Sequence, residues 1–310
     1  MTWDDMTTVL LNALDFCRAF GLWPMFFLTG GHPMLHPDFW RLAERLHGLG
    51  IPFAVLGNPY HLTFRACRRL KRLGCDRYQV SLDGLEATHD ALRRPGSYRA
   101  TLGAVRTMRR VRLKSVVMTT VSGLNIDQMP GIIDAVVAAG ADVFSFTRYC
   151  PTGPDKSTGM TPAAYREMLD RCARRIRWHM ERGCATGFDK KDHLWTLYDY
   201  EQGRIRQLPG PHDRVITDGC HCGVSHLTIY PDGAVMACRR VPDSVVGSAL
   251  KDDLKELWIG PMKAYRRLDS FQRCAGCRLL TLCRGCPAVA AVTHGSFYAP
   301  DPQCWRRVEG

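Results

Sequence analysis

No run of about eighteen hydrophobic residues occurs in this chain, so nothing in it is built to span a membrane as a helix. A basic leader is missing too: Met1-Thr-Trp-Asp-Asp is acidic and opens an amphipathic pattern, so nothing at this end supports an expectation of export. No glycine-rich phosphate turn is present. Gly30-Gly31 is followed by His32-Pro33 rather than by the spacing of a dinucleotide or P-loop turn, which disfavours a nicotinamide enzyme. Acidic residues are the scarcer charge, 30 against 42 basic, for a formal net charge of +12. The basic stretches, Arg68-Arg69-Leu70-Lys71-Arg72 and Arg106 to Lys114, also carry apolar residues at helical spacing. They read as solvated helix faces rather than as a nucleic-acid surface. These absences give the expectation of a cytoplasmic protein with no membrane and no nucleic-acid partner.

What is plentiful is cysteine. Eight of fourteen fall in the last 91 residues: Cys220, Cys222, Cys238, Cys274, Cys277, Cys283, Cys286 and Cys304. The densest part reads Cys274-Ala-Gly-Cys277, five residues, then Cys283-Arg-Gly-Cys286, and paired two-residue gaps suit chelate turns that face two sulfurs toward one metal or cluster. A cytosolic chain keeps such thiols reduced, so disulfides are disfavoured and the choice lies between zinc and iron–sulfur. With 45% hydrophobic residues over 310 positions, a core for one large or two medium domains is available.

The first two hundred residues alternate apolar runs with helical periodicity. Strands are predicted over Pro24 to Leu28, Ile51 to Leu56, Tyr78 to Leu82, Ser115 to Val121 and Asp142 to Thr147. Helices follow over Pro37 to Leu49, His61 to Leu73, Tyr98 to Val111, Asp127 to Ala139 and from Thr161. That order predicts βαβ units and a parallel sheet. A helix over Thr2 to Phe20, with Thr2 as cap, precedes the first strand, so the pattern begins half a unit late. The polar C-terminal strand ends hold Thr29-Gly30-Gly31-His32-Pro33, Gly57-Asn58-Pro59, Ser81-Leu82-Asp83-Gly84, Thr119 to Gly123 with Asn125, and Arg148-Tyr149-Cys150-Pro151. This mixture suits a polar ligand held by backbone approach and hydrogen bonds. His32 and His36 lie in a proline-broken loop and are not read as metal ligands. Asp189 to His193 reads as a charged helix start, and no catalytic base is assigned.

Together, Thr29 to Pro33, Ser81 to Gly84 and the eight-cysteine tail resemble radical S-adenosylmethionine (SAM) enzymes carrying a SPASM extension, over nearly the whole chain. The implied fold class is α/β: a partial (β/α) barrel missing its first strand over residues 1–205, then a small cysteine-rich α+β SPASM domain over 206–310. The family usually has Gly-Gly-Glu-Pro where this chain has Gly30-Gly31-His32-Pro33. The resemblance implies that Gly30, Gly31 and Pro33 approach the methionine amino group of SAM. Ser81 and Asp83 would contact its ribose or methionine groups, and Asn125 and Arg148 would lie near its adenine or carboxylate. It further implies that Cys220, Cys222, Cys238 and Cys286 hold a first auxiliary [4Fe–4S] cluster, and Cys274, Cys277, Cys283 and Cys304 a second. Pro231-Asp232-Gly233 marks a hairpin turn leading to Cys238. Two spacings depart from the family pattern, the single residue between Cys220 and Cys222 and the two between Cys283 and Cys286, and the first leaves an open iron site conceivable.

Enzymes of this family cleave SAM at a third cluster held by Cys-x3-Cys-x2-Cys, and no such motif occurs here; Cys17 is isolated in a helix. The missing motif and the missing first strand converge on the expectation of a truncated chain, with the third cluster expected only in a longer form. The nearest relatives by local resemblance are SPASM maturases of ribosomally made peptides, including those paired with Ala-Cys-Gly-rich precursors, through Gly57 to Leu62, Asp192 to Tyr198 and Cys283 to Ala290. The implied partners are a cysteine-containing precursor peptide and an electron donor such as flavodoxin or ferredoxin, and the implied chemistry is hydrogen abstraction followed by thioether formation. Two alternatives are a cluster-bearing, non-catalytic peptide-binding partner and a zinc protein that binds nucleic acid.

Overall fold

A computed structural model describes residues 1–151, 157–210 and 214–306. The chain contacts group into two compact units, one of Pro24–Arg148 with Glu167–Lys191 and one of Met1–Trp23, Tyr149–Arg166 and Asp192–Gly310. No described helix is long and apolar enough to cross a membrane.

The chain opens with α1 (Trp3–Ala19), which belongs to the second of these units. Its start is fixed by a reciprocal cap: Asp5 N donates to Thr2 Oγ1 at 3.2 Å, and Thr2 N donates to Asp5 Oδ2 at 2.8 Å.

The sheet unit then follows as β1 (Phe26–Leu28), α2 (Phe39–Gly48), β2 (Phe53–Leu56), α3 (Phe64–Arg72), β3 (Cys75–Ser81), α4 (Glu86–Leu92), α5 (Ser97–Arg110), β4 (Lys114–Val121), α6 (Met129–Ala139), β5 (Val143–Arg148), α7 (Pro162–Glu181) and β6 (Gly187–Asp189). All six strands are parallel and lie in chain order, β1 to β6. Strands β2, β4 and β5 enclose residues on both faces, among them Phe53, Ala54, Val116, Val117, Val143 and Phe144, whereas β3 alternates, with Tyr78 and Val80 enclosed and Arg77, Gln79 and Ser81 half-buried. The five predicted strands are present, and the fold class is the α/β one expected. The structure adds β6, of which only Asp189 falls in the charged helix start expected over Asp189 to His193. A three-residue strand that begins at a glycine has no readable period, and the next helix starts only at Leu194. It also adds α4 between Asp83 and Tyr98.

The cysteine-rich unit holds α8 (Leu194–Glu201), then a three-stranded antiparallel sheet of β7 (Thr228–Ile229), β8 (Ala234–Met236) and β9 (Val245–Ser248), then α9 (Leu254–Ile259), α10 (Gln272–Ala275) and α11 (Pro287–His294). The expected hairpin is there, turning at Gly233 with φ +87°, and β9 extends it. A Cβ on Gly233 would press on Leu250, so both the turn and the packing require glycine. The core of this sheet is closed by α1. Val9 and Phe16 pack with Val235, Ala237, Ala249, Leu254 and Leu257, and Cys17 lies at their margin.

Asn12 joins these elements. Its Nδ2 donates to the carbonyls of Ala249 at 3.0 Å and Asp252 at 2.8 Å, and its Oδ1 accepts from Leu254 N at 3.1 Å. Asn12→Ala strands three backbone groups at once and is expected to cost about 1–3 kcal/mol, read as a shift of the urea midpoint of the full chain. An unchanged midpoint would mean that water replaces all three bonds.

Candidate functional site

Two places carry the candidate residues, one in each unit. In the sheet unit, Gly30, Gly31, Pro33, Ser81, Asp83, Asn125 and Arg148 all lie at or just past the C-terminal ends of β1, β3, β4 and β5. Gly30 and Gly31 are consecutive left-handed residues, φ +100° and +55°, with open space where a Cβ would stand. Backbone conformation, not crowding, therefore requires glycine there. Pro33 starts a short 3₁₀ turn, and His32 folds back beneath it.

His32 Nδ1 accepts from Asn58 N at 3.3 Å, so the neutral ring carries its proton on Nε2, which is enclosed and has no hydrogen-bond partner among the described residues. The ring stacks on His61 with centroids 4.5 Å apart. Burial, with His61 adding, holds the His32 pKa below the ordinary value. Room for this ring exists because residue 57 is glycine; a Cβ there would collide with Tyr78 Oη and His32 Nδ1.

Asp83 is the hub of the strand ends. Its Oδ2 accepts from Arg93 Nε at 2.7 Å and Nη2 at 2.6 Å, and its Oδ1 accepts from Thr120 N at 2.8 Å. Asn125 closes the ring, Nδ2 donating to the carbonyls of Asp83 at 2.8 Å and Thr120 at 2.9 Å while Oδ1 accepts from Ser122 N at 2.9 Å. Asp83 N donates to His89 Nδ1 at 2.9 Å. The side chains of Asp83 and Asn125 are thus committed to holding β3 and β4 in place. Gly30, Gly31 and the half-buried Ser81 present backbone or hydroxyl at the same strand ends, and Arg148 is enclosed at the end of β5. Sequence reading missed His89 and Arg93, although their spacing of four on α4 and its C-cap put them on one side of that turn.

In the cysteine-rich unit none of the cysteines is in a disulfide. Cys220 and Cys222 lie between Gly219 and Gly223, both left-handed; a Cβ on Gly219 would collide with the Cys283 carbonyl, and one on Gly223 would crowd Tyr265. The Cys222 thiol hydrogen-bonds to Cys220 and to Cys238, which follows β8. That sharing pushes the Cys222 pKa up. It draws Cys220 well below the ordinary thiol value, with His193 helping, and Cys238 down to about 7. Two of these three thiols, Cys220 and Cys238, are already inclined to lose protons, which suits ligation by thiolate. Cys286 packs against the same core as Cys220 and Cys222.

The other four group separately. Cys274, Cys277, Cys283 and Cys304 lie close enough for their charges to act on one another; burial pushes Cys274 up to about 12 and raises Cys283 and Cys304. Between Cys283 and Cys286 the chain makes two consecutive left-handed steps, Arg284 at φ +62° and Gly285 at φ +64°. Asp301 ties that turn to the Cys304 loop, accepting from Cys286 N at 2.6 Å and Gln303 N at 2.9 Å. The enclosed Arg284 donates to the carbonyls of Cys220 at 2.8 Å, Asp218 at 3.0 Å and Leu280 at 3.0 Å. Among the described residues no three His, Cys, Asp or Glu side chains are arranged to hold a single metal ion. Seven of the thiols instead fall into a group of three and a group of four, with the buried Arg284 cation near both, and such groups fit polynuclear clusters. The sequence reading missed His193, His226, Arg284 and Asp301 because none is a cysteine and each reaches its set through the fold.

Residues 8–136 match the Radical SAM superfamily, and residues 220–287 match SPASM, an iron-sulfur cluster-binding domain. An AdoMet-dependent heme synthase of Methanosarcina barkeri is 24% identical over 91% of this chain and 82% of its own. A PqqA peptide cyclase of Streptomyces rochei is 27% identical over 98% of this chain and 80% of its own. Among solved structures, Streptococcus suis SuiB superposes with a TM-score of 0.73 at 18% identity, over 98% of this chain and 71% of SuiB. SuiB has also been solved bound to precursor peptide SuiA.

The buried histidines set a pH dependence. Burial lowers the pKa of His32 and His89 in the folded chain, so the unfolded chain binds more protons as pH falls past their ordinary value of 6.5. Stability is full above that value and is lost below it. The thermal midpoint is expected to fall between pH 7.5 and 5.5, and His89→Gln, which keeps an acceptor for Asp83 N, is expected to flatten that fall. A midpoint indifferent to pH over this window would contradict it.

Proposed function

The chain joins a Radical SAM region to a SPASM iron–sulfur domain, and on that premise we propose that it belongs to the machinery that modifies a ribosomally made peptide by hydrogen abstraction and thioether formation. The observation that carries this reading is the grouping of three thiols, Cys220, Cys222 and Cys238, apart from four, Cys274, Cys277, Cys283 and Cys304, downstream of a parallel sheet with polar C-terminal strand ends. Cys220, Cys222, Cys238 and Cys286 would hold one auxiliary [4Fe–4S] cluster, and Cys274, Cys277, Cys283 and Cys304 the other. SAM bound at a reducing cluster supplies a carbon radical that takes hydrogen from the substrate. The residues of this chain do the positioning. The left-handed Gly30-Gly31 pair offers backbone groups at the end of β1, Ser81 offers its hydroxyl at the end of β3, and the network of Asp83, Arg93, Thr120 and Asn125 keeps these ends fixed. Arg148 supplies a cation at the end of β5.

No Cys-x3-Cys-x2-Cys occurs in these 310 residues, so no step of SAM cleavage is assigned to them. A peptide is the favoured substrate class because the PqqA peptide cyclase aligns over nearly the whole chain, and the thioether reading makes it a cysteine-containing one. An iron porphyrin is the second reading, favoured by the alignment with the heme synthase. Binding of the 310-residue chain to cysteine-containing precursor peptides against iron coproporphyrin, measured by anisotropy and absorbance, separates the two.

Anaerobic reconstitution is expected to load about eight iron and eight sulfide with little zinc, and Cys238→Ala and Cys277→Ala each to remove about half of the iron. The loaded chain with dithionite and SAM is expected to form no 5′-deoxyadenosine. About two zinc and no iron would overturn the cluster reading, and 5′-deoxyadenosine from this chain would overturn the assignment of SAM cleavage to groups outside it.

A further inference from the structure

The two cysteine sets are surrounded by different chemistry. At the first, the His193 imidazole hydrogen-bonds to the Cys220 sulfur, and His226 Nε2 stands 3.8 Å from the Cys222 sulfur. Both rings reach the set from outside the cysteine pattern, His193 from the N-cap of α8 and His226 from the strand bridge it makes with Cys222. Arg284 adds a buried cation on the Cys220 carbonyl. At the second set no imidazole acts on Cys274, Cys283 or Cys304 among the described residues. What lies there is Asp301, a buried carboxylate whose charge acts on Cys274, Cys283 and Cys304, with the Arg273 cation opposing it at Cys274 and Cys304. His193 also marks the seam between the sets, since its carbonyl is 3.4 Å from the Cys283 sulfur. That contact is an S–H donation and lasts only while Cys283 is a thiol. The imidazole bond to Cys220 needs only the sulfur, and a thiolate accepts it more strongly than a thiol.

Hydrogen bonds to the sulfurs and nearby net charge set the reduction potential of an iron–sulfur cluster. N–H donors draw electron density from the sulfurs and stabilise the reduced state, whereas a buried carboxylate opposes added negative charge. We propose that His193, with His226, raises the potential of the cluster held by the Cys220 set above that of the cluster held by the Cys274 set, so that an electron entering the second cluster passes to the first. One electron moves in that step: the second cluster is oxidised by one and the first reduced by one, with no proton or bond transferred. His193 and His226 are positioning residues in this account, acting through cysteine sulfurs. The proposal rests on the two-cluster reading above.

The test is a redox titration of the reconstituted full chain followed by electron paramagnetic resonance, with iron and sulfide counted on the same samples. Two signals at different potentials are expected, and the one at the higher potential should vanish in Cys238→Ala, which assigns it to the first set. His193→Ala should move that signal to lower potential, and His193→Ala with His226→Ala should move it further, while the lower-potential signal stays in place. His193→Gln, which keeps an N–H donor at that position, should recover part of the shift, a result that a purely structural role for the ring does not give. Full iron content with both potentials unmoved in the variants would overturn the proposal and leave the two-cluster reading standing, as would loss of the lower-potential signal in Cys238→Ala. A wild-type chain without iron would overturn that reading and the proposal with it.

Discussion

Buried sulfur without a disulfide is the constraint around which the cysteine-rich unit is arranged. A thiol in an apolar core resists ionisation, as the raised values at Cys67, Cys75 and Cys172 illustrate, and those three serve as ordinary core residues. The trio of Cys220, Cys222 and Cys238 behaves differently because the thiols face one another and share protons. The backbone around them is shaped for that closeness. Gly219 lets the Cys283 carbonyl approach, Gly285 lets Asp301 approach, and Arg284 accepts a left-handed conformation that a side chain rarely adopts while its guanidinium caps three carbonyls. Strain of this kind persists where the surroundings require it, and here they do, because the Arg284 guanidinium must reach the carbonyls of Cys220 and Asp218 while Asp301 approaches Gly285.

The sheet unit solves a different problem, that of fixing loop ends without filling them. Asp83 receives three hydrogen bonds from two directions, and Asn125 spends its whole amide on backbone groups of the same two strand ends. Such a network is stiff, because removing any member leaves a buried polar group unsatisfied. It leaves backbone and small side chains as the groups available to a ligand. The His32 ring, held by Asn58 N and accommodated by Gly57, adds one more donor with no partner among the described residues.

Much of this was legible in the sequence. Alternating apolar runs and helical periods gave five of the six parallel strands, and cysteine spacing with Pro231-Asp232-Gly233 gave the hairpin and its following thiol. Periodicity needs length, so the three residues of β6 and the seven of α4 were not readable. The functional reading of Asp83 and Asn125 rests on residue type at a strand end and on the family resemblance. The structure shows why type alone is insufficient there: a carboxylate and an amide serve equally well to bind a ligand or to lock a loop, and only the partners distinguish the two. The imidazoles beside Cys220 and Cys222 were illegible for a related reason. Residue 193 is brought to residue 220 by tertiary folding, and no spacing rule spans that interval.

The arrangement of α1 shows how far local and long-range rules can diverge. Its cap, its acidic first turn and its apolar face are all written locally, and they fix a helix from Trp3 to Ala19. What that face covers is decided by chain more than two hundred residues away, where Val235, Ala237 and Leu254 wait as one side of a small sheet with too little core of its own. A three-stranded sheet of two to four residues per strand buries little apolar area by itself and needs a helix against it to be stable. Asn12 then converts a hydrophobic contact into a specific one, since its amide matches two carbonyls and one amide of the β9 to α9 connection. Burial supplies the affinity of α1 for this sheet, and three hydrogen bonds from one side chain supply its register.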